Sequence, residues 1–166
     1  NRAKAPGAGD LAASFKAVLT VLDRQIQLVE RAIRTLMSSG TLKHKADVVT
    51  AMTGIGQTTA AALLATMPEL GTMDRRQAAA LAGLAPHPNE SGKKIGYRRM
   101  RGGRPAVRTV LFMPAMQAAC GRGEFAAFYK RLVAAGKKPI LALAAVMRKI
   151  VVTLNARLRD AQLQQS

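Results

Sequence analysis

The sequence contains no tryptophan, and its aromatic residues make up only 4% of 166 positions. A β-sandwich or barrel core needs aromatic and β-branched side chains in quantity, so that architecture is disfavoured. Cys120 is the single cysteine, and His44 and His87 are the only histidines. That inventory supplies neither a disulfide framework nor a tetrahedral Cys/His metal site. Carboxylates are also scarce, nine against 26 Lys and Arg, and only Glu124 and Asp160 lie beyond residue 90. A paired-carboxylate active site has little to draw on in the second half. The longest apolar run, around Ile140–Val146, is cut off by Arg148 and Lys149 and is read as too short to cross a bilayer. Leu11–Val29 carries charges throughout, unlike the apolar centre of a signal peptide. The expectations are no membrane partner and a cytoplasmic protein. Because the chain starts at Asn1 without an initiator Met, it is read as part of a longer protein.

What is present is alanine, leucine and positive charge. Hydrophobic residues total 49%, carried mainly by Ala and Leu, which are strong helix formers. Net charge is +17, and it is unevenly spread: residues 1–90 hold ten basic and seven acidic side chains, whereas 91–166 hold sixteen and two. A field of that sign draws polyanions, and a phosphate backbone is the commonest of them, so the second half is expected to meet nucleic acid.

The reading along the chain is all-α. Residues 1–9, with Pro6 and Gly7, are expected to be a disordered lead-in, and Asp10 is a candidate cap. Over residues 10–40, Leu11, Phe15, Val18, Leu22, Ile26, Val29, Ile33 and Leu36 recur at spacings of three and four. That seam predicts one long amphipathic helix, either packed on a core or paired as a coiled coil that makes a homo-oligomer. A compact helical domain is expected over 46–162. It would contain short helices at 47–52, 58–67 and 74–81, and longer ones opening at Pro105, Glu124 and Pro139. Pro114 is expected to kink the helix that Pro105 opens. Residues 84–103 hold Pro86, Pro88 and several glycines without a period, and are read as an irregular basic loop or hairpin.

Two constellations are candidates for function. Residues 47–67 match a helix-hairpin-helix element around Met52-Thr53-Gly54-Ile55-Gly56. Gly54 and Gly56 would allow the turn, Ile55 would plug the core, and freed backbone amides with Thr58 would cradle a phosphate. An ordinary helical corner fits the same residues. The second is Ser91-Gly92, followed by Lys93, Lys94, Arg98, Arg99, Arg101, Arg104 and Arg108. A serine hydroxyl that attacks a phosphodiester needs cations to neutralise the phosphoryl oxygens and a group to accept its proton. His87 and Glu90 are the local bases, and a plain turn serine is the competing reading. Arg148, Lys149, Arg157 and Arg159 could form a phosphate-tracking face of the last helix, with a solvated face as the preferred reading, and Phe125, Phe128 and Tyr129 are read as core in preference to base-stacking platforms.

The order Gly54-Ile55-Gly56, Ala60-Ala61, Ala82-Gly83-Leu84-Ala85-Pro86, Ser91-Gly92, Arg101-Gly102-Gly103, Arg108 and Leu111 resembles the C-terminal domain of the IS110/IS116/IS902 transposases, with which the pilin-gene invertases are grouped. The resemblance covers about residues 47–159. It implies a DNA transposase or recombinase of bacterial, nucleoid-associated DNA, with Ser91 matching the serine thought to link covalently to DNA. It further implies an N-terminal RuvC-like domain whose DEDD carboxylates hold Mg, absent from these residues, and in some members a guide RNA. No cofactor is expected within the chain itself, and the chain alone is not expected to turn over. Family members often carry Lys-x-Gly-Asn where this sequence has Met100-Arg101-Gly102-Gly103-Arg104, so basic character is kept while individual roles differ. The alternative is a non-catalytic nucleic-acid-binding helix-hairpin-helix module. A third reading is an oligomerisation domain built on the long helix.

Overall fold

The computed structural model describes residues 8–91 and 94–164, with side chains described over 11–87 and 100–164. The lead-in expected over 1–9 falls outside the described residues as far as residue 7. The chain divides into two units, residues 1–39 and 40–166.

The first unit is a single helix, α1 (Ala8–Met37), 30 residues long. It begins two residues before Asp10, which is therefore inside the helix and not its cap. Its large apolar side chains are exposed, Phe15 at 64% and Leu36 at 63% among them. The apolar seam read from the sequence is thus an uncovered stripe on one helix.

The second unit is all-α with one hairpin: α2 (Gly40–Thr50), α3 (Gln57–Thr66), α4 (Arg75–Leu81), β1 (Pro86–Ser91), β2 (Lys94–Met100), α5 (Pro105–Ala119), α6 (Ala126–Ala134) and α7 (Pro139–Leu163). Local chemistry sets most of the boundaries. Asp74 caps α4 by accepting from the amides of Arg76 and Gln77, and the Gln77 Oε1 accepts in return from the Asp74 amide. This is a complete capping box. Pro105 and Pro139 occupy first-turn positions, where a missing N–H costs nothing. Pro114 lies within α5, buried.

Helix α7 is the axis of the domain. Val146, Ile150, Val151, Leu154 and Leu158 are buried along it, and it packs against α2, α4, α5 and α6, while α3 packs on α2 and α5. Its 25 residues are long and apolar enough to cross a membrane by length and composition, more than the short run seen in the sequence suggests. Half of its apolar window is buried in the domain, so the same residues serve as the core.

Asn155 is the one buried polar side chain among the described residues, 2% exposed. Its Oδ1 accepts from the Gly71 amide at 2.9 Å, and its Nδ2 donates to the Met73 carbonyl at 2.6 Å. These two bonds fix the 67–74 segment that delivers α4 onto α7. Asn155→Leu should strand a buried donor and acceptor and lower stability by about 1–3 kcal/mol. Urea unfolding followed by circular dichroism measures this, and an unchanged midpoint refutes it.

Candidate nucleic-acid interface

The segment without helical period folds as an antiparallel hairpin. Pro86 pairs with Met100, His87 with Arg99, Asn89 with Gly96, Glu90 with Ile95 and Ser91 with Lys94. The register breaks between His87 and Asn89, where Pro88 has no N–H to give to a ladder. This broken pairing explains why no clean alternation shows in the sequence.

The hairpin stands on a tight neck. The Leu84 amide donates to the Ala79 carbonyl at 2.8 Å, and the Arg104 amide donates to the Leu81 carbonyl at 2.8 Å. Between them Gly83 and Gly103, at φ +67° and +65°, bring their backbones into contact. A Cβ on Gly103 would overlap the Gly83 backbone, and one on Gly83 would overlap the Arg108 guanidinium. Arg108 Nη1 in turn donates to the Gly102 carbonyl at 2.8 Å. Leu84, 1% exposed, seats the neck in the core.

Arg104 braces the neck from below. Its Nη1 donates to Glu69 Oε2 at 2.8 Å, its Nη2 to Glu69 Oε1 at 2.6 Å, and Nη1 also to the Thr66 carbonyl at 2.9 Å. The Arg104 hydrogen bonds, helped by the Glu69 backbone amide, hold the Glu69 carboxyl at about 2, against an ordinary 4.5. The same bonds raise Arg104. A depressed carboxyl stabilises the fold fully above its unfolded value and loses that contribution as pH falls through the folded one. The advantage of the native chain over Glu69→Gln in thermal midpoint should therefore be constant above about pH 5.5 and shrink steadily toward pH 2. A difference independent of pH down to 2 would show that the pair is not ionic.

The hairpin spreads the basic residues over distance instead of gathering them around Ser91. Ser91 ends β1 at the tip, directly across from Lys94. Arg98 and Arg99 lie on β2 towards the base, and Arg101, exposed, follows the last strand residue. Lys94 and Met100 are six residue steps apart on β2, roughly 20 Å at the usual rise. Arg101, Arg104 and Arg108 thus belong to the base and Lys94 to the tip. Lys93 lies outside the described residues, as do the side chains of Ser91, Lys94, Arg98 and Arg99.

The glycine turn expected to cradle phosphate joins α2 to α3. Ile55 is 5% exposed and points into the core. Gly54, at φ +93°, sits where a Cβ would press the Gln117 Cγ at 3.1 Å, whereas Gly56 faces open space. Gly56 is the extended N-cap of α3, with no side-chain cap and no acid in the first turn. Thr58 is exposed beside it. The turn packs near Gln117 and the hairpin base near Arg108, nine residues apart on α5, or about 14 Å. The two constellations therefore flank a single helix.

Among the described residues no three His, Cys, Asp or Glu side chains stand together to hold a metal. Sequence reading missed Glu69 as the partner of Arg104. Glu69 follows Pro68 in a turn, and nothing local marks a residue that pairs 35 positions downstream.

The described residues thus form a helical body with a hairpin rich in Lys and Arg at one end of α5 and a glycine turn along the same helix. The model of the transposase IS116/IS110/IS902 family matches residues 46–130, and the chain belongs to that family. It is 34% identical over 169 residues to the 43.6 kDa protein of insertion element IS110 from Streptomyces coelicolor, covering 97% of this chain and 40% of that protein. It is 32% identical over 147 residues to the pilin gene-inverting protein of Moraxella bovis, covering 86% and 44%. With the insertion element IS116 protein of Streptomyces clavuligerus it shares 31% over 147 residues, 87% and 36% of the two chains. The chain spans about two fifths of the length of these relatives.

Proposed function

We propose that this chain is the DNA-binding and serine-bearing part of a DNA transposase or recombinase, with Ser91 as the nucleophile. The observation that carries the reading is the place of Ser91: the last residue of β1, opposite Lys94, at the tip of a hairpin whose neck is clamped to the helical core. A nucleophile for a polymer must project to where a strand passes, and a rigid stalk delivers it there without burying DNA in a cleft.

In the proposed step Ser91 Oγ bonds to a backbone phosphorus and the bond from that phosphorus to one deoxyribose oxygen breaks. The serine proton leaves to a base or water, and the departing sugar oxygen gains a proton. Strand exchange is the reverse attack by a second sugar oxygen, which frees Ser91. Lys94, paired with Ser91 in the hairpin, would neutralise the phosphoryl oxygens at the tip. Arg98, Arg99, Arg101 and Arg108 follow the backbone toward the body, where Gly54–Gly56 and Thr58 add amide and hydroxyl contacts. Arg104 is a brace for the neck. The chemistry would be completed by a RuvC-like domain holding Mg on DEDD carboxylates elsewhere in the protein, and a guide RNA and self-association through α1 are part of the same proposal.

The competing reading, a binding module without chemistry, shares every feature except the role of Ser91. Incubating the intact protein with end-labelled target DNA separates them. The proposal expects a protein-linked band on a denaturing gel, and a protease digest in which the peptide containing Ser91 carries the nucleotide mass. DNA bound but never linked leaves only the binding module.

A further inference from the structure

Most arginines near a carboxylate in this domain are paired with it: Arg104 with Glu69, and Arg157 with Glu124 at 2.7 Å. One group is not. Arg75 and Arg76 of α4 and Arg148 and Lys149 of α7 line a single cleft of about 360 Å³, and none of the four pairs with a carboxylate among the described residues. The nearest acid, Asp74, accepts from the amides of Arg76 and Gln77 as the α4 cap and acts on the Arg75 and Arg76 side chains only through space. The floor of the cleft is apolar, formed by Phe128, Ala145 and Val152. Lys149 Nζ lies 5.7 Å from the centre of the Phe128 ring, and the Arg131 guanidinium 5.4 Å from it. The ring therefore holds the Lys149 ammonium at the rim by cation–π attraction, with Arg131 on the same ring outside the cleft lining.

Four like charges drawn to one hollow from elements about 70 residues apart repel one another, and folding alone has no use for them. An anion resolves the repulsion. A cationic rim over an apolar floor is also more specific than a phosphate patch: the rim suits backbone phosphates, and the floor suits the face of an unpaired base or its sugar. A duplex, with its bases stacked inside, presents nothing to that floor. We propose that the α4–α7 cleft is a second nucleic-acid site, built for a single strand, on residues other than those of the hairpin and its glycine turn. It needs no serine chemistry and stands whether or not Ser91 is a nucleophile.

The test uses the 166-residue chain and fluorescein-labelled octanucleotides of one sequence, as single-stranded DNA and as RNA, beside a labelled duplex of twenty base pairs. The variant R75Q/R76Q/R148Q/K149Q removes the rim and leaves the buried core untouched. The control R122Q/K130Q/K137Q/K138Q removes the same charge from exposed positions away from the cleft. Expected is a loss of single-strand affinity of at least tenfold for the first variant, with duplex affinity falling less than threefold, and a smaller single-strand loss for the control. Equal losses for strand and duplex, or for variant and control, overturn the proposal, since both would reflect bulk charge. Preference for the DNA or the RNA octamer names which strand the cleft takes. In the unsubstituted chain, bound octamer should protect Lys149 from acetylation while Lys16 on α1 stays reactive, read by mass spectrometry. A fully reactive Lys149 overturns the proposal independently of any variant.

Discussion

Ser91→Ala in the intact protein should reduce covalent DNA attachment by on the order of 10³-fold or more, with DNA affinity within about threefold of the original. The asymmetry follows from what each group contributes. Bond formation uses one oxygen at the tip of the hairpin, whereas affinity is a sum over cations and amides spread along it. The geometry sharpens the expectation for the cations. Lys94, across from Ser91, should when changed to Ala slow attachment within the bound complex. Arg101→Ala, roughly 20 Å down the strand by its usual rise, should weaken binding and leave the rate within the bound complex nearly unchanged. A Ser91→Ala protein that still yields the protein-linked band would remove the serine mechanism. An Arg101→Ala protein that binds normally but links slowly would show that the base of the hairpin folds over the reacting phosphate.

Duplex DNA binding by this chain should fall on the order of 10³-fold between about 50 and 200 mM salt. Each phosphate neutralised by Lys or Arg releases condensed counterions, so the slope of log affinity against log salt counts the contacts. The net +14 of residues 91–166 makes a steep slope unavoidable if the hairpin and its base lie along the backbone. The slope also separates roles. Arg99→Ala or Arg101→Ala should each lower it by about one contact. Arg104→Ala should leave it almost unchanged, because that guanidinium is already occupied by Glu69 and the Thr66 carbonyl. Affinity flat across that salt range would mean that the charge serves something other than phosphate.

Where the determinants are local, the fold is legible in the residues. The α1 seam, the Asp74 cap, and Pro105 and Pro139 at helix starts all act within one or two turns, and each lies where periodicity and capping rules place it. Residues 84–103 leave a loop and an irregular hairpin both open, because a strand declares itself by alternation and Pro88 falls at the break in register. The candidate site divides in the same way. Ser91 and its trailing cations stand out as a cluster in sequence, but the hairpin distributes that cluster from tip to base. Arg104 reads as one more phosphate contact until Glu69 is brought beside it from 35 residues upstream. Arg148 and Lys149 read as a solvated face of the last helix. Only the packing of α4 and α6 on α7 turns them towards Arg75, Arg76 and Phe128.

The contact of Gly83 with Gly103 also has a consequence for how such proteins can diverge. Two chains that touch backbone to backbone leave no room for a side chain between them, so the spacing where the hairpin leaves the body is fixed. Among the described residues no helix packs on β1 or β2, so residues can be added or removed in matched pairs with little effect on the body. Reach is therefore a free variable for evolution and for engineering, while the direction of reach is not. Lengthening β1 and β2 by two residues each should carry the serine roughly 7 Å farther along the same line, and select DNA held at a different distance from the same body.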